Sequence, residues 1–314
     1  MKYFLVFLLA ANLFACSFKQ KQFVTTLSIT DTAFTEGQAD TATMVISKRL
    51  EGAGIHNASV KVNYKTNEIT IQSAKPDREW VQDFLLKKGA LVFYECYSIF
   101  DIYQGLEAAD KLAAAKLNNG VPDSMNHPLL GEFTGFAVNG PNTPGQNIPG
   151  FIGYAAKGNI PRIKESVNLG KDVLPADALM MLQESGTTTK DKQKMYEIYF
   201  VRDNSTKLFA NNHVTKAETR ANGKHTDVLM QFDAYGAYLF KRMTMSNVGK
   251  TIAMTIDGAI LSAPKVLSPI EGGSVALSGV FEKKEAKDMA ALLASGCLPV
   301  NMVLKGIEEV KTAE

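Results

Sequence analysis

The hydrophobic and polar positions from residue 23 onward predict the order strand, helix, strand, strand, helix, strand. Residues 23–30 are rich in β-branched side chains, which favours a strand. Residues 39–50 place apolar side chains at helical spacing before two glycines end the pattern. The other elements of this half are predicted as a hairpin, a helix and a closing strand, at residues 60–64 with 69–71, 76–89 and 90–97.

The C-terminal half repeats this order. A helix capped by Asp233 carries Tyr235, Tyr238, Leu239 and Met243 on one stripe, and Asp257-Gly258 joins two alternating strands by a tight turn. The strands are predicted at residues 228–232, 251–256, 259–266, 274–278 and 300–304, and the last helix at residues 283–295. Both halves therefore predict an α+β fold of two ferredoxin-like lobes, each an antiparallel sheet with two helices on one face.

Between the halves, the pattern predicts a long irregular insertion. Residues 118–150 are dense in Gly, Pro and Asn, which is typical of loops rather than core. The elements around this stretch are predicted as two helices and a strand, at residues 107–117, 176–184 and 195–201. The mature chain is thus divided into an N-terminal lobe, the insertion and a C-terminal lobe whose last helix and strand are candidates to rejoin the first lobe, at residues 23–100, 101–205 and 206–314.

The first sixteen residues have the layout of a secretory signal. Lys2 gives a positive start, and residues 3–15 form an apolar run that is too short to cross a bilayer. Leu13-Phe14-Ala15-Cys16 resembles the lipobox of bacterial lipoproteins, which implies a signal over residues 1–16, a palmitate-bearing Cys16 and a tether over residues 17–22. The alternative is an ordinary signal peptide that is cleaved elsewhere. We expect a lipid-anchored domain on the cell membrane or outer membrane that faces the periplasm.

The composition is that of an ordinary globular protein. Its 34 basic and 32 acidic residues give a net charge of +2 without long blocks of either sign. Nucleic acid is therefore not an expected partner, because binding to it requires a concentrated basic face. No later stretch approaches eighteen consecutive apolar residues, so attachment to the bilayer is expected to depend on the lipid. The two other thiols, Cys96 and Cys297, either form a disulfide or stay free and buried.

An ordered series of short motifs resembles the periplasmic P1 region of SecD and of the fused protein SecDF. The motifs of the C-terminal half are Asn247-Val248-Gly249-Lys250, Asp257-Gly258, Ser262-Ala263-Pro264, Gly272-Gly273, Ser278-Gly279, Glu285-Ala286 and Ser295-Gly296-Cys297-Leu298-Pro299. Those of the N-terminal half lie at residues 49–55 and 91–97. The resemblance covers roughly residues 39–100 and 206–305.

This resemblance implies an accessory role in protein export, in which the domain meets polypeptide that emerges from the secretion channel. Cys297 departs from the small or aliphatic residue of the family. The chain ends where the family enters its membrane helices, so no proton-driven motor is expected in this chain. The eleven positions that carry the resemblance, here called the motif residues, are Asn247, Gly249, Lys250, Asp257, Gly258, Ser262, Pro264, Gly273, Gly279, Gly296 and Pro299.

Each motif also has a purely structural interpretation, in which glycines, prolines and the Asp257-Gly258 pair specify turns, bends and strand edges. Gly249-Lys250-Thr251 is not a phosphate-binding loop, because Thr244 stands where that loop needs glycine and the element order is reversed. The histidines lack metal-ligand spacing, and no Gly-x-Ser-x-Gly turn occurs. We therefore expect no enzyme activity, no nucleotide, no metal and no cofactor.

Three functions remain open at this point. The first is a lipoprotein that binds exported or unfolded polypeptide. Its expected partners are the bilayer and, as a candidate, components of the secretion channel. The second is an interaction or assembly lipoprotein of the cell envelope that is unrelated to export, and the third is a small-molecule binder with the 118–150 stretch as a lid. An exposed apolar cleft beside that stretch would favour the first, a flat apolar patch the second and a closed polar pocket the third.

Overall fold

The computed structural model describes residues 22–74, 77–137 and 149–310, with the side chains of residues 279 and 280 left aside. Cys16 and the predicted signal lie outside the described residues. The helices are α1 Glu36–Gly52, α2 Arg78–Trp80 with a π-helical turn at Val81–Leu85, α3 Ile99–Leu117, α4 Ile160–Leu169, α5 Ala234–Ser246 and α6 Lys283–Ser295. None of these helices is long and apolar enough to span a membrane.

Fifteen strands are present in the same ranges. They are β1 Gln22–Ile29, β2 Ser59–Asn63, β3 Glu68–Ala74, β4 Leu91–Glu95, β5 Gly135–Phe136, β6 Gly153–Ala156, β7 Ala178–Thr188, β8 Lys194–Arg202, β9 Leu208–Phe209, β10 Val214–Asn222, β11 His225–Phe232, β12 Ile252–Ile256, β13 Ala259–Ser262, β14 Ser274–Phe281 and β15 Met302–Glu309. They form four sheets, ordered β15-β1-β3-β2, β13-β12-β4-β9, β10-β11-β14 and β5-β6-β8-β7.

The first sheet joins the two ends of the described chain. β1 lies between β3 and β15, with Phe23 opposite Glu309. α1 begins at a capping box of Thr35 and Gln38 and packs against α6, so closely that a Cβ at Gly52 would lie 2.6 Å from the Cβ of Ala291. Elements distant in sequence therefore complete the sheet and its helical cover.

The expected closing strand at residues 90–97 does not close this sheet. Its strand, β4, lies between β12 and β9 in another sheet. Residues 91–94 of β4 are all buried, which requires cover on both faces, whereas β15 is buried mainly at its start and has the exposed positions of an edge strand. Burial pattern thus assigns the edge to β15 and the interior to β4.

The C-terminal half is likewise not one single-sheet lobe. β11 and β14 lie in the third sheet, β12 and β13 lie in the second, and β15 lies in the first. All five residues of β12 are buried, because its two neighbours are β4 and β13 and both of its faces are covered. α5 packs Phe240 against Phe93 of β4 and Phe232 of β11, with ring centroids 5.0 and 5.5 Å apart, and so links the second and third sheets.

The described part of residues 101–205 is ordered structure and not the irregular insertion that the sequence predicts. It contains most of α3, together with α4 and the fourth sheet, around its own core. The predicted helix at residues 176–184 is strand β7, because pairing along the whole of β8 outweighs the helix propensity of its Leu and Met residues. α3 begins at Ile99, eight residues before the predicted start, because Ser98 and Asp101 form a capping box.

Candidate functional site

The motif residues with described surroundings fall into two groups, and the first group surrounds an apolar cleft beside α5. Asn247 ends α5, and its side-chain amide donates to the carbonyl oxygen of Met243 at 2.9 Å. The amide of Gly249 donates to the carbonyl oxygen of Val266, and the amide of Val266 donates to that of Lys250, both at 2.8 Å. The turn after α5 therefore holds the segment at residues 264–266 in place.

The chain that follows this segment, residues 267–273, is held in place by two residues of α5, Thr244 and Ala237. The hydroxyl of Thr244 accepts a hydrogen bond from the amide of Ile270 at 3.0 Å. Gly273 has a φ of +64°, and a Cβ there would lie 2.5 Å from the Cβ of Ala237. Only glycine combines this conformation with this close approach. Thr244 is not among the motif residues, since a threonine inside a helix gives no signal of a distant partner.

The cleft has a volume of about 320 Å³. Its floor and walls are mainly apolar, and the motif residues Ser262 and Pro264 belong to them together with Phe93, Phe240, Ile252, Met254, Val266, Leu267, Ile270 and Val275. Leu267 is 84% exposed and Ile270 is 36% exposed at its rim. Such exposure of large apolar side chains beside an apolar concavity is typical of a binding site.

The second group of motif residues is structural. Asp257 and Gly258 have φ values of 51° and 77°, as the tight turn between β12 and β13 requires. The Asp257 carboxylate also accepts hydrogen bonds from the amides of Gly89 and Ala90, at 3.1 and 2.7 Å. This second role links the turn to the start of β4.

Gly296 and Pro299 belong to the same structural group, in the connection from α6 to β15. Gly296 follows α6 with a φ of 90°, and Pro299 is half-buried between Leu298 and Val300. Gly279 lies within β14, where the backbone is described. Gly296 and Pro299 thus shape the chain between α6 and β15.

A fully buried arginine organises this second group. Arg49 lies on the inner face of α1, and its guanidinium donates to the hydroxyl of Ser295 at 3.1 Å. It also donates to five carbonyl oxygens, those of Phe84, Leu85, Lys87, Lys88 and Gly296. Burial lowers the pKa of Arg49 to about 10. In the sequence, Arg49 opens the motif at residues 49–55 and is a charged residue between Ile46 and Leu50 on the apolar stripe of α1, but neither signal indicates its partners.

Among the other titratable groups of the described residues are two His–Asp contacts and two free thiols. In the described ranges, no three His, Cys, Asp or Glu side chains come together as metal ligands. His127 contacts Asp110 at 2.7 Å and His213 contacts Asp233 at 3.1 Å. Cys96 and Cys297 are unpaired, and burial raises the pKa of the Cys96 thiol to about 12. The apolar cleft, with large apolar side chains exposed at its rim, is the feature that best fits a function.

Most residues that line the cleft, though not Phe93, lie in a part of the chain that matches a known family model. Residues 185–300 match the family model described as SecDF, P1 head subdomain. The described fold, with its six helices and its sheets, also resembles solved SecDF structures. One is SecDF in its super-membrane-facing form, with a TM-score of 0.53 and 14% identity over 92% of this chain and 30% of that one. Another is a SecDF chain with a TM-score of 0.50 and 16% identity. The match covers 92% of this chain and all of that one.

The curated relatives are translocase subunits. Protein translocase subunit SecD of Magnetococcus marinus is 28% identical over 159 residues, which are 49% of this chain and 30% of that protein. SecD of Syntrophobacter fumaroxidans is 37% identical over 98 residues, which are 31% of this chain and 18% of that protein. This chain thus spans about a third or less of the relatives it matches. The predicted resemblance to the P1 region of SecD and SecDF is confirmed.

Proposed function

We propose that this protein binds extended, apolar segments of exported or unfolded polypeptide beside the secretion machinery, and that it does so without catalysis. The observation that carries the proposal is the apolar cleft with Leu267 and Ile270 exposed at its rim. One structural neighbour is described as a membrane component SecDF that enhances protein export. A non-enzymatic role in export fits both the cleft and these relatives.

The size of the cleft limits how much apolar surface a ligand can bury in it. A volume of about 320 Å³ lies at the small end of ligand sites and accommodates a few apolar side chains. Each side chain that leaves water contributes about 1.5 to 3 kcal/mol, and ordering the chain offsets much of that gain. We expect dissociation constants on the order of micromolar or weaker. Weak, sequence-tolerant binding suits a factor that handles many clients.

A second function is supported by a different surface. Tyr235 and Tyr238 on α5 are 61% and 53% exposed, and their rings stack with centroids 6.4 Å apart. Exposed aromatic pairs are frequent in protein interfaces. This pair favours the alternative of an assembly lipoprotein of the cell envelope, and loss of partner capture in a Tyr235→Ser, Tyr238→Ser variant would support it. In the described part of the 118–150 stretch, residues 118–137 and 149–150, no residue lines the cleft, so these residues do not support the lid of the third hypothesis.

We also propose that a lipid on Cys16 anchors the domain to the cell membrane or outer membrane. The support is the lipobox-like Leu13-Phe14-Ala15-Cys16 sequence. Cys16→Ala should release the protein from membranes while the circular dichroism spectrum of the purified domain stays unchanged. If the variant still sediments with membranes after a high-salt wash, the anchor proposal is wrong.

The binding proposal is tested by titrating fluorescent unfolded clients and apolar peptides into the purified domain. Leu267→Asp should weaken binding by about tenfold or more, because a carboxylate at the rim disfavours apolar side chains in the cleft. Met44→Asp is the control, since Met44 is likewise a large exposed apolar residue but lies on α1. The absence of any binding at hundreds of micromolar would overturn polypeptide handling.

A further inference from the structure

One wall of the cleft is the free side of strand β14. In the third sheet, ordered β10-β11-β14, β14 is an edge strand among the described strands. The amide of Phe232 donates to the carbonyl oxygen of Gly273 at 2.9 Å, and the register then pairs Gln231 with Ser274 and Leu229 with Ala276. Because hydrogen-bonded and non-hydrogen-bonded pairs alternate along antiparallel strands, the backbone groups of Ser274 and Ala276 point away from β11.

These outward backbone groups face the site. Ser274, Val275 and Ala276 all line the cleft, and Ser274 and Ala276 are exposed. The segment Ser274–Leu277 contains no charged residue and no proline, the usual means by which proteins protect an edge from pairing. The edge is therefore open to another strand at the point where it borders apolar surface.

We propose that the bound polypeptide adds to β14 as an extended strand, exchanges backbone hydrogen bonds with Ser274 and Ala276, and places alternate apolar side chains in the cleft. This inference rests on the proposed function and specifies its mode. A helical ligand is disfavoured, because a helix is about 10 to 12 Å wide and its interior backbone groups are already paired. A strand instead presents donors and acceptors at the spacing of the edge.

The decisive test uses the backbone of the ligand. In an extended nine-residue peptide that alternates Leu and Ser, the Leu side chains lie on one face and the Ser side chains on the other. Only the Leu face suits the cleft, which fixes which face of the peptide is turned toward it. N-methylation removes an amide donor, and only every second amide of the bound peptide points toward β14. Methylating those alternate residues should weaken binding by tenfold or more. Methylating the residues between them, whose amides point away from β14, should change binding less than about twofold. Equal effects of both methylated peptides, or no effect of either, would overturn strand addition.

The protein side offers a matched pair of variants. Ala276→Pro removes the outward amide of the edge and should weaken binding of the unmethylated peptide by about tenfold, whereas Ala276→Ser keeps that amide and should bind normally. If Ala276→Pro fails to fold, the two methylated peptides decide the matter on the wild-type protein. Leu267→Asp separates the two proposals. Binding that is sensitive to Leu267→Asp but insensitive to N-methylation would leave the proposed function intact and overturn its mode, and no binding of any peptide would overturn the function itself.

Discussion

Arg49 shows how one buried charge holds several chain segments together through backbone carbonyl oxygens. Its guanidinium bonds the π-helical turn after α2, the loop before β4 and the end of α6. Five carbonyl oxygens share the charge, so its removal leaves several buried acceptors without donors. The cost of burial is offset only while all of these bonds are made.

We expect Arg49→Ala to lower the free energy of unfolding by about 3 to 5 kcal/mol. Arg49→Lys should cost less, because an ammonium still reaches some of the carbonyl oxygens. Urea unfolding at neutral pH measures both, with the exposed neighbour Lys48→Ala as a control that should stay within about 0.5 kcal/mol of wild type. A loss below 1 kcal/mol for Arg49→Ala would contradict this role.

The carboxyl group of Asp227 makes the stability of the fold depend on pH. Hydrogen bonds from Asn222, and then from Arg220 at 3.1 Å, lower the pKa of its carboxyl below 3.8. Because the folded pKa is below the unfolded one, this stabilisation is fully present above about pH 4 and is lost as the pH falls through the folded pKa. Melting temperatures from pH 7 down to pH 2 should therefore fall less steeply at the acid end for Asp227→Asn than for wild type. Parallel curves would show that Asp227 does not contribute.

At the scale of elements, the start of the 118–150 stretch is firmly attached. Asp110 on α3 is buried and accepts hydrogen bonds from the amides of Leu129 and Leu130, at 2.8 and 3.1 Å. Leu129 is fully buried in the core of this region. Deletion of residues 118–150 would remove these contacts, so the expectation that the stretch lies outside the core is wrong for its described part.

Asp110→Ala should destabilise this region by about 2 to 4 kcal/mol, because two amides lose their acceptor in the interior. Hydrogen exchange at Leu129 and Leu130 should accelerate before global unfolding. Asp172→Ala is the matched control, since Asp172 is exposed and its ion pair with Lys116 spans 3.5 Å. Unchanged exchange at Leu129 in Asp110→Ala would refute the attachment.

At the scale of the whole molecule, the first sheet depends on both ends of the described chain. A fragment of residues 22–97 lacks β15 and α6, so we expect it to remain unfolded or to aggregate through the free edge of β1. Residues 22–89 joined to residues 282–310 by about fifteen Gly and Ser residues should unfold cooperatively in urea. Cooperative folding of the 22–97 fragment alone would contradict this dependence.

The sequence by itself determined most of the helices and strands, the Asp257-Gly258 turn and the family resemblance. These features are local, since periodicity, capping residues and turn residues act within a few positions. α6 was predicted over residues 283–295 and has those bounds. The motif residues were found because they match the SecD family in order and spacing. That order does not indicate their division into a cleft group and a structural group.

The tertiary structure alone decided which strands pair, where the cleft lies and what Arg49 does. The sequence predicts both β4 and β15 as strands. In the structure, all residues of β4 except the last are buried, which assigns β4 to a sheet interior, whereas β15 lies at the edge beside β1. β7 carries helix-forming residues but forms a hairpin with β8, because the hydrogen bonds along the whole pair outweigh intrinsic propensity. Strand pairing and burial depend on residues far apart in the chain, and local sequence patterns do not contain that information.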